Sequence, residues 1–314
     1  MPGRLCVAVV GGSLGGLTAA LVLRDAGCEV EVFERSASEL FGYGAGIVVH
    51  EATVRYFCQR SPVPLEEVSV PVSCLRYVGQ DGSVVYEEPS SYRFTAWSTL
   101  YRNLLRLFGE EDYHRGEALV GFDQDDEGVD VRFAGGRTGC YDLLVCAGGV
   151  QSTARRLLLG DVAPAYSGYV GWRGTVAETD LSPEAFVALS DAITYAVVEH
   201  SHILAYPIPS LDGTLEPGSR LINFVWYRNV PAGNPLEELM TDRHGFPRPI
   251  SLHPGEVQAR YLSELREAAG RGPARWASAR RSLATGDPAT RCSDSGSTAP
   301  VASRLIGNPS ALIT

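Results

Sequence analysis

The sequence has no long hydrophobic run, no Cys-x-x-Cys pair and no excess of basic residues, and each absence removes a class of protein. No stretch approaches the roughly 20 apolar residues of a membrane-spanning helix. The apolar run Cys6 to Val10 is too short for a secretory leader and is interrupted by Gly11 and Gly12, so it reads as a buried first strand. The seven cysteines are odd in number and irregularly spaced. That argues against a disulfide framework or a zinc site and leads to the expectation of a reducing cytoplasm. Lys and Arg number 27 against 37 Asp and Glu, a net charge of −10, which leaves no basic face for nucleic acid or an anionic membrane. There is no G-x-S-x-G nucleophile elbow, no internal repeat and no second glycine fingerprint. His200 and His202 alternate on an expected strand, but no Asp or Cys stands at a ligand spacing from them, so no metal is expected.

What is present is an ordinary globular balance over 314 residues, 45% apolar and 20% charged, enough for two domains or one large α/β unit. Leu5 to Val10 is short, continuous and apolar; Gly11 to Gly16 is a glycine-rich turn; Leu17 to Asp25 has helical spacing and stops at Gly27. Glu29 to Glu34 alternates as a second strand. Strand, turn, helix and strand in about thirty residues make a βαβ unit with two parallel strands.

Beyond it, Phe41 to Gly46 is a second glycine-rich loop and Ala52 to Phe57 a short helix. Ser69 to Glu88 holds strands around a turn at Gln80-Asp81-Gly82-Ser83. Ser98 to Phe108 is a helix with Ser98 as its expected N-cap. A β-meander follows, through Ala118 to Phe122, Val129 to Phe133 and a strand Tyr141 to Val145 that returns to the parallel sheet. From Tyr166 the texture becomes aromatic and β-branched. Tyr169 to Val176, Tyr195 to Glu199, Ile203 to Ile208 and Leu221 to Tyr227 predict a mainly antiparallel sheet, with helices over Pro235 to Met240 and Pro254 to Ala269. After Gly270 periodicity decays.

The motif that carries chemistry is Gly11-Gly12-Ser13-Leu14-Gly15-Gly16 followed by Glu34. Glycines let backbone N–H groups approach a pyrophosphate, and the helix N-terminus adds partial positive charge. An acid about twenty positions on, at the end of the second strand, accepts from a ribose. Ser13 stands where the pattern has its second glycine. These residues alone leave NAD and FAD open. The aromatic group Tyr169, Trp172, Tyr206, Trp226 and Tyr227 is either core or a wall over a planar substrate, and Tyr206 and Trp226 are the residues expected to touch it.

The stretch VAVVGGSLGGLTAALVLRDAGCEVEVFERS resembles the N-terminus of FAD-dependent aromatic hydroxylases, the single-component flavoprotein monooxygenases related to p-hydroxybenzoate hydroxylase. FGYGAGIVVH, STLYRNLLRLF, DLLVCAGGVQSTARRLLLG, YSGYVGWRG, HILAYPIP and INFVWYRNV are similar to the 2,6-dihydroxypyridine 3-monooxygenase branch, and the resemblance runs from Leu5 to about Asp242. It implies an α/β fold with a Rossmann-like FAD-binding domain carrying a β-meander, and an antiparallel-sheet substrate domain. It divides the chain into 1–165 (FAD), 166–253 (substrate), a helix over 254–269 returning to the FAD domain, and a tail over 270–314. By position, Gly11, Gly12, Ser13, Leu14, Gly15 and Gly16 match the pyrophosphate loop, Glu34 the ribose acid and Arg35 its neighbour over the adenosine end. Arg102 matches an arginine at the flavin phosphate and ribityl region, and Gly46, Gly148 and Gly149 complete the cofactor set.

Two departures stand out. Where the family carries an Asp-Gly pair this chain reads Gly148-Gly149, with Cys146 in place of a glycine and Arg155 kept. The family's later Gly-Asp motif finds only Gly286-Asp287-Pro288, out of place, and Arg304-Leu305-Ile306-Gly307-Asn308, with Asn308 where the aspartate belongs. The tail is accordingly expected to be degenerate, truncated or frame-disrupted. The implied activity is hydroxylation of an electron-rich hydroxylated aromatic or hydroxypyridine ring, with FAD as cofactor, NAD(P)H and O₂ as co-substrates, and oxygen transferred from a flavin C4a-hydroperoxide. A homodimer is the assembly entertained. The rival readings are an inactive remnant that binds FAD weakly or not at all, and an NAD(P)-dependent dehydrogenase using the same βαβ unit.

Overall fold

The computed structural model describes residues 3–40, 46–79, 81–160, 162, 164–198, 200–271 and 312–313. The chain opens with β1 (Cys6–Val10), α1 (Leu14–Asp25) and β2 (Glu29–Glu34), the expected βαβ unit with the helix starting three residues early. Next come β3 (Gly46–Val48), α2 (Glu51–Arg60), β4 (Val70–Pro71), β5 (Cys74–Val78), β6 (Val84–Pro89) and β7 (Arg93–Ala96), which runs directly into α3 (Trp97–Phe108). Then follow β8 (Tyr113–Arg115), β9 (Leu119–Gln124), β10 (Val129–Phe133), β11 (Thr138–Tyr141), β12 (Leu143–Cys146) and α4 (Thr153–Leu159). The remainder is β13 (Tyr169–Ala177), α5 (Pro183–Leu189), β14 (Ala192–Val198), β15 (Ser201–Ile208), β16 (Leu221–Asn229), α6 (Asn234–Leu239), α7 (Ala259–Arg271) and the two-residue β17 (Leu312–Ile313).

These elements form two compact units. The first holds a four-stranded parallel sheet in the order β12-β1-β2-β8. Val7 to Val10 are buried, as a central parallel strand covered on both faces requires. α1 sets Leu17, Ala20 and Leu21 into the core. The meander β9-β10-β11 has one wet face: along β10, Val129, Val131 and Phe133 are buried while Asp130 and Arg132 are exposed. Phe133 stacks on Phe33 at 4.4 Å, tying the meander to the parallel sheet.

Two local expectations are corrected here. The single strand read over Tyr141 to Val145 is the end of one strand and the start of another. β11 pairs antiparallel with β10, β12 pairs parallel with β1, and the change of direction falls at Asp142. Its carboxylate takes the Cys6 N–H at 2.7 Å while its own N–H donates to the Cys6 carbonyl. Ser98 is not an N-cap: α3 begins at Trp97, and the Ser98 carbonyl lies inside the helix.

The second unit is built on a sheet in the order β17-β13-β16-β15-β14-β5-β6, antiparallel apart from the β14–β5 pair. Ala185 and Leu189 of α5, Leu239 of α6 and Leu265 and Ala269 of α7 pack with Val170, Trp172, Ile222 and Phe224 on one face. The other face carries Tyr206, Ile208 and Ile193, which pack with Val72 and Phe94 beside the small sheet β3-β7-β4.

The division therefore differs from a single cut at 165. β3 and Glu66–Ala96 belong to the second unit, because β5 finds its partner in β14, more than a hundred residues on. The helix expected over 254–269 starts at Ala259, since Pro254 and Gly255, with Gly255 at φ +81°, lie in the preceding turn. It packs into the second unit rather than returning to the first. The expectations about 286–288 and 304–308 lie outside the described residues.

Candidate functional site

The glycine-rich turn follows β1 at the carboxyl end of the parallel strands, where α/β sheets bind ligands. Gly11 has φ +109°, and a Cβ there would stand 2.4 Å from the Ala147 carbonyl oxygen. A Cβ at Gly16 would lie 1.7 Å from the Gly11 oxygen, and one at Gly12 would lie 2.2 Å from the Tyr113 hydroxyl. These three glycines are demanded by the packing of the turn itself. Gly15 is different: a Cβ there meets nothing within 4 Å, so no neighbour among the described residues explains its being glycine. Ser13 occupies the N-cap of α1 without a side-chain cap bond, and the first turn holds no acid. The free N–H groups and the positive end of the helix are therefore uncompensated, as an anion cradle needs.

Glu34 is buried and shapes this cradle. One carboxylate oxygen accepts from the Gly12 N–H at 2.8 Å, the other from the Ser36 N–H at 2.9 Å. Lone pairs remain for a ribose hydroxyl. Tyr113, which the sequence reading missed, donates to the Gly12 carbonyl at 2.9 Å and lies 3.2 Å from the Tyr101 hydroxyl. Burial pushes its hydroxyl far above the usual tyrosine range, so it stays a donor. No local sequence signal marks it, because Tyr113 reaches Gly12 only through the β2–β8 pairing. Arg35 is exposed beside Glu34.

Parallel pairing of Val10 with Cys146 brings the second glycine pair next to the first turn. Gly148 has φ −70°, open to any residue, and its Cβ would sit 3.2 Å from Ser152 Cα, tight but not blocked. Gly149 is left-handed at φ +66°. Ser152 caps α4 by accepting from the Arg155 N–H at 3.2 Å. The Arg155 guanidinium reaches back to the Gly149 carbonyl at 3.3 Å and to that of Val150. Ser152 and Arg155 thus hold the turn. Cys146, which stands where the family has a glycine, is exposed at the end of β12. Arg102 is half-buried on α3, which packs on α1, and its Nε donates to the Ser98 carbonyl at 3.4 Å.

In the second unit Gly46 is clamped from both sides. Its N–H donates to Asn223 Oδ1 at 2.8 Å, and its carbonyl accepts from the Tyr206 hydroxyl at 3.0 Å. A Cβ at Gly46 would lie 2.5 Å from the Tyr206 ring. Tyr206 is buried and stacked on Phe94 at 4.2 Å, so it anchors this strand rather than offering an open ring face. Asn223, a lone amide in the apolar run of β16, is the sequence signal that went unread. Trp226 lies on the opposite face of the sheet from Tyr206, packed beside the helix-covered core with its Nε1 donating to Ser201 Oγ at 2.7 Å. The two expected substrate residues are therefore not brought together. His200 sits in the turn before β15 with φ +59°, so it does not share a strand face with His202.

Comparison with known proteins agrees with this architecture. A model of NAD(P)-binding Rossmann-like domains matches residues 9–61, and an FAD-binding domain-like model matches 166–278. 2,6-Dihydroxypyridine 3-monooxygenase of Paenarthrobacter nicotinovorans is 41% identical over 260 residues, 82% of this chain and 64% of that protein. Aurachin C monooxygenase/isomerase of Stigmatella aurantiaca is 33% identical over 186 residues, 54% of this chain and 47% of that protein. The chain thus spans about half to two thirds of the length of these relatives. The solved structure of 2,6-dihydroxypyridine-3-hydroxylase from Arthrobacter nicotinovorans superposes with a TM-score of 0.84 at 35% identity, covering 100% of this chain and 72% of that one. With the glycine turn, the acid-shaped cradle and the two-sheet architecture in place, the chain belongs to the family of FAD-dependent aromatic monooxygenases of the 2,6-dihydroxypyridine 3-monooxygenase type.

Proposed function

We propose that this chain binds FAD through its first unit and an electron-rich hydroxylated ring, a hydroxypyridine by kinship, through its second, as part of an NAD(P)H-consuming monooxygenase. The observation that carries the reading is the cradle: a turn whose Gly11, Gly12 and Gly16 are fixed by packing, with the Gly15 side left open above an uncapped helix N-terminus. FAD fits this cradle. The N–H groups of residues 13–16 would hold its pyrophosphate and Glu34 its ribose, with Arg35 over the adenosine end. Arg102 would meet the phosphate and ribityl region, and Gly148 and Gly149 would let backbone approach the cofactor closely, whereas Gly46 owes its glycine to the close approach of Tyr206 and Asn223. When bound and reduced by NAD(P)H, FAD supplies activated oxygen from O₂.

The chain's own residues do the rest. Glu34 and Tyr113 fix the loop before the cofactor arrives, so binding costs little ordering. Asn223 and Tyr206 fix Gly46, and the sheet face beside them orients the ring and excludes water. We place the protein in the cytoplasm, as a homodimer. Among the described residues no helix is long and apolar enough to cross a membrane.

The test is the visible spectrum of the purified chain after FAD is added and excess removed, followed by NAD(P)H oxidation with 2,6-dihydroxypyridine. Retained flavin bands and ring-dependent oxidation with a hydroxylated product are expected. A chain that stays colourless would instead be a remnant of a hydroxylase, and nicotinamide binding without flavin would favour a dehydrogenase.

A further inference from the structure

Strand alternation assigns each side chain of the second sheet to one face. Along β13, Val170, Trp172 and Val176 enter the helix-covered core. Arg173 and Thr175 therefore point to the other face. Pairing places Arg173 opposite Val225, Val225 opposite Leu204, Leu204 opposite Tyr195 and Tyr195 beside Tyr77. Tyr227 and His202 form the adjacent row. This face is aromatic and half-buried: Tyr77 stacks on Tyr195 at 5.2 Å, and His202 lies against Tyr227 at 4.7 Å.

Arg173 is anomalous here. The half-buried arginines Arg24 and Arg76 hold carboxylates at 2.5 Å, and the buried Arg220 holds Glu178 at 2.8 Å. The Arg173 guanidinium, on a strand whose backbone is paired on both sides, forms neither an ion pair nor a hydrogen bond among the described residues. Burial holds the Tyr206 hydroxyl above the usual tyrosine range, and the Arg173 charge acts on it in the opposite sense. A half-buried guanidinium without a carboxylate partner, beside aromatic rings, is a ready site for an anion.

We propose that Arg173 is the seat for the negative charge of a planar aromatic ligand, the oxyanion of a singly ionised dihydroxy ring, whose face lies on Tyr195 and Tyr227. The guanidinium offers a planar fork of donors to a ring oxygen and its neighbour, and tyrosine faces supply the stacking area. Holding the ring as its anion keeps it electron-rich, which is what electrophilic oxygen transfer requires. The identity of the ring rests on the monooxygenase reading; the charge preference does not.

The experiment measures binding to the FAD-supplemented chain by calorimetry. The probes are 2,6-dihydroxypyridine, at a pH where its own absorbance titration shows it singly ionised, and 2,6-dimethoxypyridine, which cannot ionise. The wild-type chain is expected to favour the anion by about ten-fold or more, the scale of a charged hydrogen bond. Arg173→Gln should erase that preference, Arg173→Lys should keep part of it, and neither should change affinity for the dimethoxy compound. Equal affinities of the wild-type chain for the two probes would overturn the proposal. So would an undiminished preference in Arg173→Gln, or loss of both ligands from an Arg173→Gln chain that melts like wild type. Arg173-dependent binding without ring-dependent NAD(P)H oxidation would sink the monooxygenase reading and leave this one standing. Ring-dependent oxidation with an unchanged KM in Arg173→Gln would do the reverse.

Discussion

At the scale of single residues, the two glycines at the start of α1 separate folding from binding. Gly16→Ala drives a Cβ to 1.7 Å from the Gly11 oxygen, so the turn must open. It is expected to lower the melting temperature and abolish flavin retention together. Gly15→Ala meets nothing among the described residues and gains helix propensity, worth roughly 0.5–1 kcal/mol. That variant should melt at or above wild type yet bind FAD more weakly, because its methyl stands where the pyrophosphate would lie. Equal FAD affinity in Gly15→Ala, by flavin fluorescence titration, would count against the cradle. Gly148→Asp should fold normally, since its backbone is ordinary and only a few tenths of an ångström of give is needed at Ser152.

The glycine loop and Glu34 were legible in sequence because strand, turn, helix and acid are contiguous. Tyr113 and Asn223 were not, because each reaches its glycine through strand pairing across a long stretch of chain. Tyr206 and Trp226 were read as partners because both are aromatic residues on neighbouring strands. The register puts them on opposite faces, and side-chain direction is a property of pairing that composition does not carry.

At the scale of elements, the end of β13 is locked to the start of β16 by a buried ion pair. Arg220 Nη2 lies 2.8 Å from Glu178 Oε1, with side-chain exposures of 6% and 0%. Glu178 also accepts the Gly218 N–H at 2.7 Å, and Arg220 donates to the Ser190 carbonyl at 2.8 Å. Glu178→Ala leaves a buried cation without its partner and should cost about 3–5 kcal/mol in urea denaturation. The Glu178→Met, Arg220→Met double variant should recover part of that, but not all, because the Gly218 N–H stays unsatisfied. Leu265→Ala, in the core that α7 shares with the sheet, should cost about 2–5 kcal/mol.

The turn after α6 gives the fold an acid dependence. Burial alone would raise the Asp242 carboxyl, but the N–H groups of Phe246 and His244 and the Arg248 guanidinium more than offset it and hold it below the usual carboxylate range. A depressed folded value means that its contribution is full above the unfolded value near pH 4 and is lost as pH falls through the folded value. The melting-temperature gap between wild type and Asp242→Asn should therefore be constant near neutrality and shrink only below about pH 4. A gap that closes already at pH 6 would contradict this assignment.

At the scale of the whole molecule, the two units are interleaved in sequence, since β3 and Glu66–Ala96 leave the first unit to complete the second. FAD, if it seats in the first unit, should raise the melting temperature of the chain. Saturation at a hundred times Kd corresponds to about 2.7 kcal/mol of added stability. Glu34→Ala removes the acceptor of the Gly12 and Ser36 N–H groups and should lower both the basal melting temperature and the FAD-induced rise. A rise undiminished in that variant would place the cofactor elsewhere.

The sequence by itself determined the βαβ unit, the glycine turn with its acid, the meander and the aromatic second sheet, because each rests on periodicity or on contiguous residues. Only the tertiary structure decided that β5 and β6 belong to the second sheet, that α7 packs there, and that Arg173 rather than Trp226 faces the side away from the helices. Those outcomes are set by long-range strand pairing and the face it gives each side chain, and a one-residue change of register along β13 or β16 would by itself exchange the faces of Arg173 and Trp226.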